Sequence, residues 1–139
     1  MPETDENWIK KAEEDYWTAV QLSLARKHPD NGVLCLNAQR CVERYLKAIL
    51  QRHGVQIQES PTLEQLLDDC ARCHPMLELM RPDIYTLARH AGLYRDLVDT
   101  TDKQEARELV VRNMHTCRNE LRHVLGLPSP GGTRKSGCR

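Results

Sequence analysis

The residue types most suited to chemistry cluster near the end of the chain. Arg112-Asn113-Met114-His115-Thr116-Cys117-Arg118-Asn119-Glu120-Leu121-Arg122-His123 contains Arg118-Asn119 followed by His123, an R-N-x3-H string and so an R-x4-H pair. Arginine holds phosphate oxygens as a fixed bidentate cation, asparagine orients by hydrogen bonding, and histidine moves protons near neutral pH. Metal-free cleavage of RNA needs these functions: a general base for the 2′-hydroxyl and a cation for the charged phosphorane. Arg118, Asn119 and His123 are therefore the candidate catalytic set. On a straight helix five residues turn about 500°, which leaves Arg118 and His123 about 140° apart around the axis. They share one phosphate only if the helix end is distorted or a second copy supplies one group. His115, Arg118, Asn119 and Arg122 fall at spacings of three, one and three, a pattern that predicts one phosphate-binding patch beside the helix's apolar stripe. The plainer reading is a surface Arg and a surface His near a helix C-terminus, where cations complement the dipole.

A second string, Cys70-Ala71-Arg72-Cys73-His74, has the C-x-x-C-H spacing of covalent haem attachment. That chemistry requires export, and the acidic start Met1-Pro2-Glu3-Thr4-Asp5-Glu6 lacks the apolar core of a secretory signal. Cys70, Cys73, His74, His115 and Cys117 would converge on zinc only if two helices were neighbours, and they lack paired zinc-ligand spacing. The expectation is therefore no metal, no cofactor, reduced thiols and a cytoplasmic location. No glycine-rich phosphate loop is present.

These residues need elements to hold them. The chain has 139 residues, 40% hydrophobic and 29% charged, with few aromatics and no Phe. Aliphatic stripes among helix-forming residues predict an all-α domain, and no apolar run is long enough to span a bilayer. Twenty basic and twenty acidic residues cancel, but unevenly: Lys103–Arg139 holds eight Lys/Arg against three acids, and the first 102 residues carry the opposite excess. Such asymmetry fits an anionic ligand or self-association of opposite patches.

Periodicity predicts a first helix over about 5–27, with Trp8, Ala12, Tyr16, Ala19 and Ser23 on its apolar face. A second comes over 33–53 with a broad face of Leu34, Ala38, Cys41, Val42, Tyr45 and Ile49, ended by Gly54. A third opens at Ser60-Pro61-Thr62, with Ser60 as N-cap and Leu66, Leu67 and Cys70 on its buried side. Pro75 and Pro82 break the stretch after His74 into one or two shorter helices over 76–93. A last helix over 103–125 carries Val110, Met114, Cys117, Leu121 and Leu125. The expected architecture is an antiparallel up-and-down four-helix bundle over 1–127, with one or two extra short helices and a disordered basic tail over 128–139.

Three strings follow one another in order: Trp8-Ile9-Lys10-Lys11-Ala12-Glu13-Glu14-Asp15, of the form W-x-x-x-A-x-x-D; the run from Asn37-Ala38-Gln39-Arg40 through Glu43-Arg44-Tyr45-Leu46-Lys47-Ala48 to Gly54; and Thr62-Leu63-Glu64-Gln65-Leu66-Leu67, with L-x-x-L-L. On these strings residues 8–125 resemble the HEPN family, helical prokaryotic domains found beside minimal nucleotidyltransferases. The first is similar to that family's opening, the second to its second-helix signature and the third to its next helix. Ser60-Pro61-Thr62-Leu63 replaces the family's T-H-D-L entry, and Leu93-Tyr94-Arg95-Asp96 stands where an R-Y-P loop is common. The resemblance implies a homodimeric module that binds RNA or nucleotide phosphate and works beside a nucleotidyltransferase in a toxin–antitoxin or defence-like system. The alternative it implies is a metal-independent endoribonuclease toxin using the R-x4-H pair.

Overall fold

A computed structural model describes residues 4–24, 31–96 and 100–128. The described residues form helices α1 (Asp5–Leu24), α2 (Asn31–Arg52), α3 (Leu63–Cys73), α4 (Arg81–Asp96) and α5 (Thr100–Val124), with a 3-10 turn over Pro75–Met80 between α3 and α4. There is no strand among them.

The helix ends obey local chemistry. Thr4 caps α1 by accepting from the Asn7 amide at 3.1 Å. α2 and α5 end alike, on glycines in the left-handed region, Gly54 at φ 69° and Gly126 at φ 74°. Beyond each, an amide returns five residues, Val55 to the Leu50 carbonyl at 2.9 Å and Leu127 to Arg122 at 2.8 Å. These bonds close carbonyls that the helix leaves open. α3 begins later than Ser60-Pro61 suggests. Thr62 is the N-cap, in a reciprocal box with Gln65, while Ser60 takes a positive φ of 49° in the preceding turn. Pro82 sits in the first turn of α4, where a missing amide proton costs nothing, so the helix runs on for sixteen residues.

Arg52 fixes the register of three helix ends. Its Nη1 donates to the Leu125 carbonyl at 2.8 Å and its Nε pairs with Asp5 at 3.1 Å. The end of α2, the end of α5 and the start of α1 therefore lie together, so α1 is antiparallel to both. Gln39 donates to the Leu87 carbonyl at 2.7 Å and holds α4 against α2. Asp83 in the first turn of α4 acts on Cys117 in the second half of α5, so α4 runs antiparallel to α5, and the long helices α1, α2, α4 and α5 alternate in direction. α3, at eleven residues, is the extra short element, and α4 takes the bundle position that the sequence pattern suggests for α3.

The core is where the stripes place it: Leu34, Ala38, Cys41, Tyr45, Ile49, Leu66, Cys70, Met114 and Leu121 are all buried, as are Ala12, Tyr16 and Ala19 from α1. Cys35, Cys41, Cys70, Cys73 and Cys117 are free thiols. Burial pushes Cys35 and Cys70 up to about 12, so both stay protonated and serve as packing groups. The tail from 129 onward lies outside the described residues.

Candidate functional site

The inward edge of α5, where it meets α1 and α2, is polar. Arg118 is completely buried. Its guanidinium grips Glu13 of α1 with two parallel bonds, Nη2 to Oε1 at 2.5 Å and Nε to Oε2 at 3.0 Å. This is the fork geometry that makes Arg–carboxylate pairs strong. The Tyr16 ring lies against the guanidinium, 4.0 Å from its carbon, adding a cation–π contact. The Tyr45 hydroxyl of α2 donates to Glu13 Oε2 and accepts from Arg122 Nη1 at 2.7 Å. Arg122 is buried too, and its Nε donates to the Pro128 carbonyl at 2.5 Å.

The network continues toward solvent, and donor counting fixes its protons. Arg118 Nη1 can only donate, so Asn119 presents Oδ1 to it at 3.2 Å. The Asn119 amide nitrogen then donates to His115 Nε2 at 3.0 Å. His115 must therefore carry its proton on Nδ1, which donates to the Tyr16 hydroxyl at 2.8 Å. Hydrogen bonds thus run without a break from Pro128 to Tyr16, tying all three helices.

Charge accords with geometry. Burial opposes ionisation of Glu13, yet hydrogen bonds from Arg118 and Tyr45 and the charges of Arg118 and Arg122 hold its carboxyl below the usual range. Burial also opposes the charge of Arg118, and Glu13 more than restores it. His115 is pushed down by burial and by the adjacent Arg118 charge, so it stays neutral at pH 7. Burial raises Tyr45 above its ordinary range despite the bond from Arg122.

The structure brings His115, Arg118 and Asn119 together, but with Arg118 turned inward. Arg118 and Arg122 are therefore not surface cations facing a ligand. His123 is exposed on the other side of a helix that stays regular through Val124, so the R-x4-H pair is split within one copy. The residues that sequence reasoning missed are Glu13, Tyr16 and Tyr45 in their polar roles. A signal existed: both tyrosines lie on apolar stripes, and a buried tyrosine hydroxyl requires a partner.

What α5 shows to solvent is mixed in charge: Glu105, Glu108, Arg112, Thr116, Glu120 and His123 are exposed. Within that face Arg112, the half-buried His115 and Asn119, and His123 follow in a row at spacings of three, four and four along one side. Beside it Trp17 of α1 is 43% exposed, its ring edge-on to Tyr16 at 5.0 Å. Much of the basic excess after Lys103 is accounted for elsewhere: Arg118 and Arg122 are buried with Glu13, and Arg134, Lys135 and Arg139 lie outside the described residues. The second-helix signature residues Gln39 and Glu43 line a separate shallow cleft with Thr62, Glu64 and Arg89.

The candidate zinc set does not converge. His115 is committed to Tyr16 and Asn119, and Cys70 is buried against the Leu46 carbonyl at 3.2 Å. No group of three or more His, Cys, Asp or Glu able to hold a metal occurs among the described residues. No described helix is long and apolar enough to cross a membrane.

A comparison with protein-family models matches residues 6–115 to the HEPN domain. No match was found among curated proteins or among solved structures.

Proposed function

Because the chain belongs to the HEPN domain family, we propose that it is a dimeric, non-catalytic binding module that takes RNA or nucleotide phosphate along the exposed side of α5 and works beside a nucleotidyltransferase partner in a toxin–antitoxin or defence-like system. The observation that carries the non-catalytic reading is the sequestration of Arg118. A guanidinium with no exposed surface, doubly bonded to Glu13, has no face left for a phosphorane. His123 then has no cation beside it in the same copy. Arg112 lies within about 20° of His123 around the helix but roughly 16 Å along it, too far to share one phosphate.

Binding is a different matter. Arg112, His115, Asn119 and His123 offer charge and hydrogen bonds along one side, and exposed Trp17 offers a stacking surface for a base.

Titration of a labelled single-stranded RNA against the full chain over a range of salt tests this reading. Affinity falls with salt because each neutralised phosphate releases counterions. No cleavage occurs, with or without EDTA, and expression alone does not arrest growth. EDTA-resistant cleavage abolished by His123→Ala would instead establish the endoribonuclease, for which the exposed His123 is the supporting observation.

A further inference from the structure

The C-x-x-C-H string leaves Cys73 and His74 half-buried, outside both the core and the α5 face. Cys70 is buried against α2, but His74, at the junction of α3 and the 3-10 turn, points back across to His53 at the end of α2. Their Nε2 atoms are 2.8 Å apart.

The backbone on each side is fixed. The His53 amide donates to the Ile49 carbonyl at 3.1 Å, one residue before the Gly54 cap. The His74 amide donates to Cys70 at 2.9 Å, and its own carbonyl accepts from Leu77 at 2.9 Å. The two imidazoles are thus presented toward each other by ordered main chain at the edge of the molecule, away from the Glu13 network.

Two histidine nitrogens this close need either a shared proton or a shared ion. Metal–imidazole bonds of about 2.0–2.1 Å set two nitrogens about 2.9 Å apart at a 90° bond angle and about 3.3 Å at a tetrahedral one. We propose that His53 and His74 form a two-imidazole site for a borderline divalent transition ion of square-planar or octahedral preference, Ni2+ or Cu2+ ahead of Zn2+, clamping the end of α2 to the α3–turn junction. The imidazole that donates in the metal-free pair moves its proton to Nδ1, so that both Nε2 lone pairs face the ion without net proton release. No third His, Cys, Asp or Glu completes the set among the described residues, so water fills the remaining positions. Binding is therefore weaker than at a closed structural zinc site, and the ion exchanges.

Ni2+ alone is the probe, since Cu2+ oxidises thiols. With the full chain at pH 7.5, saturating Ni2+ raises Tm by about 5 °C or more. His53→Gln and His74→Gln each abolish the shift, while Cys73→Ser keeps it. NMR of the unmodified chain supplies a test that needs no variant: Ni2+ broadens the imidazole signals of His53 and His74 at concentrations that leave those of His28, His90, His115 and His123 sharp. A shift that survives either histidine substitution, or that Cys73→Ser removes, overturns the site. So does broadening that begins at another histidine, or no shift at all. None of these outcomes bears on RNA binding at α5.

Discussion

Arg112 and Arg118 stand six residues apart on the same helix and live in opposite surroundings. Arg112 is exposed, on a side shared with His123. Arg118 is wholly enclosed, its charge met by Glu13, its face covered by Tyr16, and its neighbour Arg122 braced on Tyr45. Residue type and spacing within α5 do not distinguish them. What separates them is a carboxylate on α1, more than a hundred residues away in the chain. An arginine near a histidine is a candidate site only until its counter-ion is found; here the counter-ion turns the more conspicuous arginine into a strut.

The sharpest way to break this contrast is to remove the counter-ion. Glu13→Gln leaves the Arg118 charge buried without a partner, and the loss of stability is about 3–5 kcal/mol by chemical denaturation. A well-packed apolar replacement of both groups, Glu13→Leu with Arg118→Met, costs less than Glu13→Gln alone, because no orphan charge remains. A cost below about 1 kcal/mol for Glu13→Gln would mean that water reaches Arg118, and the two arginines would be alike after all.

On the same helix, Leu121 is fully buried in the apolar part of the interface. Leu121→Ala costs about 2–5 kcal/mol through lost contacts and a residual cavity. Unlike the loss at Glu13, this one does not change with pH. A change under about 0.5 kcal/mol would rotate α5 and undo the assignment of its inward edge.

That distinction explains how much of the fold and site is legible in the sequence. The apolar stripes depend on local periodicity, and they place Leu34, Tyr45, Met114 and Leu121 in the core because a 3.6-residue repeat carries the information within one helix. The Gly54 cap is equally local. The Thr62 cap escapes a sequence reading because Ser60-Pro61 is an equally good helix start on paper; the positive φ of Ser60 and the reciprocal Thr62–Gln65 box decide it. The fate of Arg118 is not local at all. It depends on which face of α1 meets α5, and periodicity within either helix says nothing about that pairing. The splitting of Arg118 from His123, by contrast, comes from helix geometry alone and holds in a helix regular to Val124.

Acid sharpens the comparison further. The folded state holds Glu13 below its ordinary value, so at low pH the unfolded chain binds that proton first. The stability Glu13 contributes is present above about pH 4.5 and is lost as pH falls through its depressed folded value, at no more than about 1.4 kcal/mol per pH unit. His115 has the same sign at a higher pH. Being depressed in the fold, it adds stability above about pH 6.5 that declines as the unfolded chain protonates. Stability measured from pH 7 to pH 3 therefore falls in two stages. Glu13→Gln makes the lower stage smaller and His115→Gln the upper, to which His74, lowered in the same direction, also contributes. A profile unchanged in both variants would detach charge from the inward edge of α5.

The smallest effect on stability belongs to Arg112, and there the comparison meets function. Arg112→Ala changes stability by no more than about 0.5 kcal/mol, as expected for an exposed side chain outside any buried network. Its effect on RNA should nonetheless exceed that of substitutions elsewhere on the exposed surface. If one phosphate sits on Arg112, its loss lowers the slope of log affinity against log salt by about 0.7 for single-stranded RNA, for all sequences alike, since phosphate contacts position without reading bases. Trp17→Ala, beside the row, lowers affinity by about 1–3 kcal/mol if it stacks a base, with little change in that slope. Arg118→Ala shows the reverse pattern, a large loss of stability with an unaltered salt slope wherever the protein remains folded. If Arg118→Ala instead lowered the salt slope while Arg112→Ala left it untouched, the enclosed arginine would be the one that meets phosphate.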